Sequence, residues 1–526
     1  MMHRLTKNNN IRYILYLVAV LPVFIFRDFT PDNELRYLSI ADEALRNGSV
    51  FTFTNHGLIY ADKPPLYLWI VMSGKVIFGY HNLLFLGLFS FLPALVVVRV
   101  MDRWVKSTMP DNDRIVAQLM LLTSAFFLGT ALVVRMDMLM CMFIVLALYT
   151  FFRMYSGAGK RRDPVLFPLF VFLALFSKGP IGVIVPLISI AVFLYLKGDI
   201  RTIGKYWGWK TILILLTLCG AWFAGVFAEG GSLYLNNLLF NQTVNRAVNS
   251  FHHKEPFYFY FVTIWYSLAP WSLLTIGTLV TAFRKKPDFT DLERFFLVIV
   301  LSTLTILSLF SSKLPVYMLP VFPFLVYLSV LRLTKIGSAR WTLILAGIPA
   351  VILCMALPGI IAAFQLSEIG EQGISPLIIL TGIILSGSGV VALKYLIRQQ
   401  LNQGIITIST GMLLAVFSVS FAIPKYNSLI GLNLLCNQAK ETALEKGAQN
   451  YYYCEMNRAD NLDVYLGTTL KKLRISELYK PDSPIKKPAI LFTWDKAIER
   501  NDSLQVFIKG KEVHQKGSYY YIVIEK

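Results

Sequence analysis

Two short segments near the start of the chain place acids, cations and phenols where they could act on a phosphate or a sugar. The first, Thr30-Pro31-Asp32-Asn33-Glu34-Leu35-Arg36-Tyr37-Leu38, carries Asp32 and Glu34 just ahead of Arg36 and Tyr37. Either carboxylate could be the general base that takes a proton from an acceptor hydroxyl. The simpler alternative is favourable charge at the first turn of a helix. The second segment, Tyr60-Ala61-Asp62-Lys63-Pro64-Pro65, holds Asp62 and Lys63 ahead of two prolines. Prolines keep the preceding backbone extended, so the pair sits at a fixed corner before the next helix. Lys63 could hold a phosphate as a point charge, and Asp62 could pair with it or ligate a metal.

Other charged residues recur at the ends of apolar stretches: Arg135 and Asp137, Lys178 before Gly179, His252 and His253, and Lys313. Ionisable side chains at membrane depth are costly, so their convergence on one side marks a candidate site. Snorkelling of cations to headgroups is the alternative for any one of them, and a structural ion pair is the alternative for Arg135 and Asp137. One histidine and one distant carboxylate are too few ligands to establish a metal by spacing.

The elements that must position these groups are membrane spans. Of 526 residues, 56% are hydrophobic and 15% charged, with mean hydropathy +0.57; a soluble domain has about 25% charged residues. Apolar windows centre near residues 19, 92, 123, 145, 170, 188, 219, 270, 303, 323, 352, 386 and 414, which predicts about thirteen transmembrane helices. Alternate loops carry the basic clusters, including Arg99/Arg103/Lys106, Lys160/Arg161/Arg162 and Arg284/Lys285/Lys286. All fall on the side of the basic N-terminus, which the positive-inside rule makes cytoplasmic, with the C-terminus outside. The first apolar run lacks a small-residue cleavage site and reads as a retained span.

On the opposite side lie a long first loop, 28–82, and a loop over about 229–256. Thr30 is expected to cap a helix with Pro31 at its first position, and Leu35, Leu38, Ala41 and Leu45 give that helix an apolar stripe suited to a membrane surface. The expected organisation is a membrane domain over 1–424 and a small extracytoplasmic α/β domain over 425–526, where alternating runs at 451–453 and 519–524 predict strands. A disulfide between Cys436 and Cys454 is compatible with that compartment. The net charge of +19 is spread over short loops, which points to anionic lipid and away from nucleic acid.

In this order the segments resemble the GT-C glycosyltransferases related to bacterial aminoarabinose lipid A transferase (ArnT) and the protein O-mannosyltransferases. The corresponding residues are Asn33-Glu34-Leu35-Arg36-Tyr37, Tyr60-Ala61-Asp62-Lys63-Pro64-Pro65, Arg135-Met136-Asp137 and Lys178-Gly179. His253-Lys254-Glu255-Pro256-Phe257-Tyr258 and Lys313-Leu314-Pro315-Val316-Tyr317-Met318-Leu319-Pro320 complete the set. The resemblance implies a multi-pass enzyme of a bacterial inner membrane. It would take a sugar from a polyprenyl-phosphate (undecaprenyl-phosphate) carrier and pass it, with inversion, to lipid A or a protein hydroxyl on the periplasmic face. It also implies that Arg36, Lys63 and Tyr317 hold the carrier phosphate, helped by Tyr37 and Tyr60, with Lys178 and Lys313 as further phosphate-binding candidates. Asp62 and His253 match positions that bind a divalent metal (zinc, magnesium or manganese), and Asp137 would position sugar or acceptor. Where the family usually has aspartate, this chain has Asn33, so Asp32 or Glu34 takes the base role or the acceptor needs no base. A transporter or flippase for a lipid-linked sugar is the competing class; it predicts inverted repeats and charges at the midplane.

Overall fold

The computed structural model describes residues 9–240, 254–284, 289–366, 373–479 and 484–525. They form two compact units: residues 1–24, 61–67 and 84–421 belong to the first, and 25–60, 68–83 and 422–526 to the second.

The first unit is helical. Seven of its described helices are long and apolar enough to cross a membrane: Leu83–Trp104, Asp137–Tyr155, Trp209–Phe240, Asp291–Leu309, Pro315–Ile336, Pro376–Ile397 and Leu401–Ser420. Two further helix pairs, Asp111–Leu122 with Ala125–Leu132 and Arg340–Cys354 with Ala356–Leu366, bend by 63° and 46° and raise the number to nine. The windows near 19, 170, 188 and 270 hold Asn9–Phe26, Asp163–Lys178, Ile181–Leu196 and Ser272–Arg284, shorter helices that leave length alone short of the expected thirteen. The chain is a multi-pass helical membrane protein.

Packing orders these helices. The span at Pro315–Ile336 is 94% buried and therefore central, whereas Trp209–Phe240 is 17% buried and presents its apolar surface outward. Trp104 anchors the core, with Tyr149, Phe152, Phe296 and Phe324 ringed around it at centroid distances of 5.0–6.0 Å. Buried charges are paired, as burial demands: Arg114 with Asp102 at 3.1 Å, and Glu293 with Arg332 and Lys335 at 3.1 and 3.0 Å.

The second unit joins the first long loop to the C-terminal residues. A two-stranded hairpin, β1 (Thr54–Asn55) and β2 (Leu58–Ile59), belongs to the loop. The sheet contains β3 (Asn450–Cys454), β4 (Leu470–Leu473), β5 (Ala489–Trp494), β6 (Val513–Lys516) and β7 (Tyr519–Ile524), in the order β4-β3-β5-β7-β6. β3 runs parallel to β4 and β5, while β7 is antiparallel to β5 and β6. The central position of β5 explains its continuous apolar run, since Ala489, Ile490, Leu491 and Phe492 are all buried. Cys436 and Cys454 are both buried and both free, so no disulfide joins them.

The helix of the first loop starts at Glu34, and not just after Thr30 as expected. Residues 31–33 form a turn, and Glu34 reaches back to accept the Thr30 N–H at 2.7 Å. Leu35, Leu38 and Ala41 are buried against the unit. Ser39, on the same helix, donates to Asp463 at 3.0 Å. Asp463 is buried and its Oδ1 has no hydrogen-bond partner. Burial pushes this carboxyl above its usual value, outweighing the charge of His56 and the bond from Ser39. The folded state therefore favours the protonated acid, and ionisation costs stability as pH rises from about 4 toward the raised value. Asp463→Asn should raise the thermal unfolding midpoint of the detergent-solubilised protein at pH 7 and leave it unchanged near pH 4. An equal effect at both pH values would contradict this assignment.

Candidate functional site

Asp137 opens the helix Asp137–Tyr155, and Lys178 closes the helix Asp163–Lys178. The two helices pack as a hairpin, which brings the start of one beside the end of the other. An acid at a helix N-terminus and a cation at a C-terminus are each favoured by the backbone dipoles. Here the two meet: Lys178 Nζ is ion-paired to Asp137 Oδ1, and Arg135 Nε lies 2.9 Å from Oδ2. The Asp137 carboxylate is fully buried and the Lys178 side chain is 5% exposed. Lys178 Nζ also stands 4.7 Å from the centre of the Tyr317 ring, a cation–π contact.

Glycine makes the corner after Lys178 possible. Gly179 has φ +109°, which side-chain-bearing residues rarely adopt, and its N–H returns to Leu175 at 2.7 Å. Gly182 begins the next helix so close to its neighbour that an added Cβ would lie 2.3 Å from the Ala174 carbonyl carbon. The Asp62-Lys63 corner arises from the prolines, and the helix Leu66–Phe78 starts directly after Pro65.

These pieces surround one cavity of about 260 Å³. Asp62, Lys63, Lys178, Ser312 and Tyr317 supply its polar wall. Leu175, Ile181, Ile184, Trp222, Phe223, Leu238, Leu239 and Phe310 supply its apolar one. Asp137 stands behind Lys178. Leu238 and Leu239 reach the cavity because the chain kinks at Gly231 (φ +64°) inside the helix Trp209–Asn236. The loop expected from residue 229 is therefore helical as far as Phe240. Sequence reading missed this apolar wall; the Gly230-Gly231 pair within an apolar run was the available signal.

Lys313 does not line the cavity. Its buried ammonium donates to the carbonyls of Phe310 (2.6 Å) and Glu255 (2.8 Å), beside a bridge between Lys254 and Ser312. It pins two chain segments together, which is its physical role here in place of the expected phosphate contact.

The remaining expected residues belong to the second unit. Glu34 is fully buried and receives both Arg27 Nη groups at 2.7 and 2.9 Å. Together with its bond from Thr30, this geometry makes it a structural carboxylate and a poor base. Asp32 is exposed, and its carbonyl accepts from Arg458 at 2.6 Å. The Arg36 guanidinium lies 5.6 and 5.8 Å from the Tyr37 and Tyr60 ring centres and reaches Asn33 Oδ1 at 3.5 Å.

For a divalent metal, Asp62 is the described ligand, while His253 lies outside the described residues. No three His, Cys, Asp or Glu side chains gather as a cation site among the described residues. With His253 outside the described residues, no step is routed through a metal.

The fold defines the class: a GT-C-type helical membrane protein with a small sheet-bearing unit. Its fold is similar to that of ArnT from Cupriavidus metallidurans, solved bound to undecaprenyl phosphate, with TM-score 0.74 at 17% identity over 97% of both chains. Residues 62–223, which include Asp62, Lys63, Asp137, Lys178 and Trp222, match the family model described as dolichyl-phosphate-mannose-protein mannosyltransferase. The undecaprenyl phosphate-alpha-4-amino-4-deoxy-L-arabinose arabinosyl transferase of Edwardsiella ictaluri is 25% identical over 316 residues, 59% of this chain and 56% of that protein. An uncharacterized protein of Aquifex aeolicus is 27% identical over 327 residues, 59% of this chain and 62% of that one. The chain thus spans less than two thirds of the length of these relatives.

Removing the buried carboxylate tests the ion cluster. Asp137→Ala leaves Lys178 as an uncompensated buried cation and should cost about 3–5 kcal/mol, seen as a lower unfolding midpoint in detergent. Adding Lys178→Met should restore part of the loss. A double variant no more stable than Asp137→Ala would show that the two side chains are not coupled.

Proposed function

We propose that the chain is a glycosyltransferase that takes a sugar from a polyprenyl-phosphate carrier and transfers it to an acceptor at the outer face of a bacterial inner membrane. One observation carries the reading: a single cavity joins two lysines and a tyrosine to a wall of apolar side chains. Such a pocket matches the head of a lipid phosphate, with the anion at Lys63, Lys178 and Tyr317 and the first isoprenoid carbons along Trp222, Leu238 and Leu239. The ArnT fold and the names of the relatives support the same class over a transporter.

In the reaction the acceptor attacks the anomeric carbon as the bond from that carbon to the phosphate oxygen breaks. The electron pair leaves with the phosphate, and the configuration inverts. Positive groups already fixed where this charge develops lower the barrier without reorganising. Lys63 and Lys178 supply them, and Asp137 positions Lys178. With Glu34 committed to Arg27, a hydroxyl acceptor would give its proton to Asp62, whereas an anionic phosphate acceptor needs no base. Lipid A and protein hydroxyls are the acceptors this reading favours. The distribution of the basic loops supports an N-terminus in the cytoplasm and a C-terminus in the periplasm.

Comparative mass spectrometry of lipid A, envelope glycoproteins and surface glycans tests the proposal in wild-type, deletion and Lys63→Ala strains. A sugar-sized mass loss in one fraction, shared by both mutants, is expected. Unchanged profiles in all three fractions would overturn it. In vitro, Lys63→Ala should slow transfer by about 10²–10³-fold, the scale of losing one preorganised charge contact.

A further inference from the structure

The second unit contains a larger cavity, about 610 Å³, within the range of about 300–1,000 Å³ typical of small-molecule sites. None of the residues discussed above for the donor contributes to it. Its character is set by neutral hydrogen-bonding groups. Asn427, Asn433 and Asn437 line it together with Tyr80, His81 and Tyr465.

The charges in its wall are already compensated. Arg27 is held by Glu34, and Lys75 and His81 both face Asp42, at 3.4 and 2.8 Å. Asp28 accepts from the Tyr465 hydroxyl at 2.7 Å and from the N–H groups of Phe29 and Asn433 at 2.7 and 2.9 Å. Gly431 admits this carboxylate, since a Cβ there would lie 2.1 Å from Asp28 Oδ2. An anion entering the cavity would therefore find no cation among these that lacks a carboxylate partner.

What it finds instead is capacity for hydrogen bonds. The Asn437 amide donates to Asn433 Oδ1 at 2.8 Å, which leaves the Asn437 oxygen and the Asn433 amide nitrogen as further hydrogen-bonding groups on two residues of the lining. His81 is the second observation. Its side chain is 4% exposed, its Nε2 is engaged by Asp42, and its Nδ1 is buried with no partner. A buried polar atom left unsatisfied is costly, and this one belongs to a side chain that lines the cavity. Paired amides, an imidazole nitrogen and the exposed Tyr80 ring match the alternating hydroxyls and apolar faces of a saccharide.

We infer that this cavity is a saccharide-binding site, which takes a neutral sugar residue of a glycan or glycolipid. That the saccharide belongs to the acceptor rests on the transferase reading; the binding itself does not.

Isothermal titration of the full detergent-solubilised chain with a panel of neutral di- and trisaccharides tests it, with undecaprenyl phosphate and inorganic phosphate titrated in parallel. At least one saccharide should bind, and Asn437→Leu and His81→Phe should each weaken it by about tenfold or more, the scale of one ligand hydrogen bond. Undecaprenyl phosphate should bind both variants as it binds wild type. Asn437 is exposed, so its replacement leaves the fold intact should His81→Phe perturb it. Undecaprenyl phosphate binding without any saccharide binding would overturn the inference and leave the transferase reading standing. Binding of neither would overturn both. Inorganic phosphate binding that the two variants abolish would make the cavity an anion site and overturn the inference.

Discussion

A carboxylate buried in an apolar helical bundle is tolerable only if its charge is met on the spot, and the arrangement around Asp137 answers that demand. Asp137 has no exposed surface, and two cations from different points in the chain close on it. The contact sets the register of the hairpin formed by Asp137–Tyr155 and Asp163–Lys178, because the start of one helix must stand level with the end of the other. Gly179 turns the chain immediately after the lysine, and Gly182 lets the following helix approach at backbone contact. With those constraints met, Lys178 has one place to be: between Asp137, the Tyr317 ring and the cavity wall.

The same requirement separates cations that can serve a ligand from cations that serve the fold. Lys178 is neutralised on one side and still borders the cavity. Lys313 is no less buried, but its donors are spent on two carbonyls that hold loop segments together. Among the acids, Glu34 is fixed by a two-point bond to Arg27, a geometry that gives direction as well as strength. Burial alone therefore does not mark a functional residue. What marks it is a polar group whose partners leave one side open to space that a ligand can enter.

Much of the fold was legible in the sequence because lipid imposes long apolar runs, and alternation at 451–453 and 519–524 announced two of the strands. The number of crossings was less legible. Bent pairs and helices of 16 residues look the same as full spans in a window average, and only packing distinguishes them. At the site, Asp62, Lys63, Lys178 and Tyr317 could be singled out, since charge and proline near apolar ends are rare. Their apolar counterpart could not: Trp222, Leu238 and Leu239 resemble every other lipid-facing residue until the kink at Gly231 turns the chain. Lys313 and Glu34 were singled out for the same reason as Lys63, and only their partners separate them from it. The start of the first-loop helix moved by several residues because Glu34 caps from inside, a bond that Thr30 at the presumed cap does not reveal.

On the two readings proposed above, the cavities are opposite solutions to recognition. A leaving phosphate gains charge during reaction, so its pocket must hold positive potential in advance. On that reading, Lys63 and Lys178 border the pocket with Asp62, while Arg135 and Asp137 stand behind Lys178. A neutral saccharide gains no charge, and a strong local field would favour water or ions over its hydroxyls. The Asn- and Tyr-lined cavity pairs its cations with acids and is lined by amides, phenols and an imidazole. Asn33 fits the same logic on a smaller scale. An acid at that position would neutralise Arg36, whereas the amide accepts one weak bond and leaves the guanidinium its full charge over the rings of Tyr37 and Tyr60. Charge is thus cancelled where hydrogen-bond direction must do the selecting, as around Lys75 and His81.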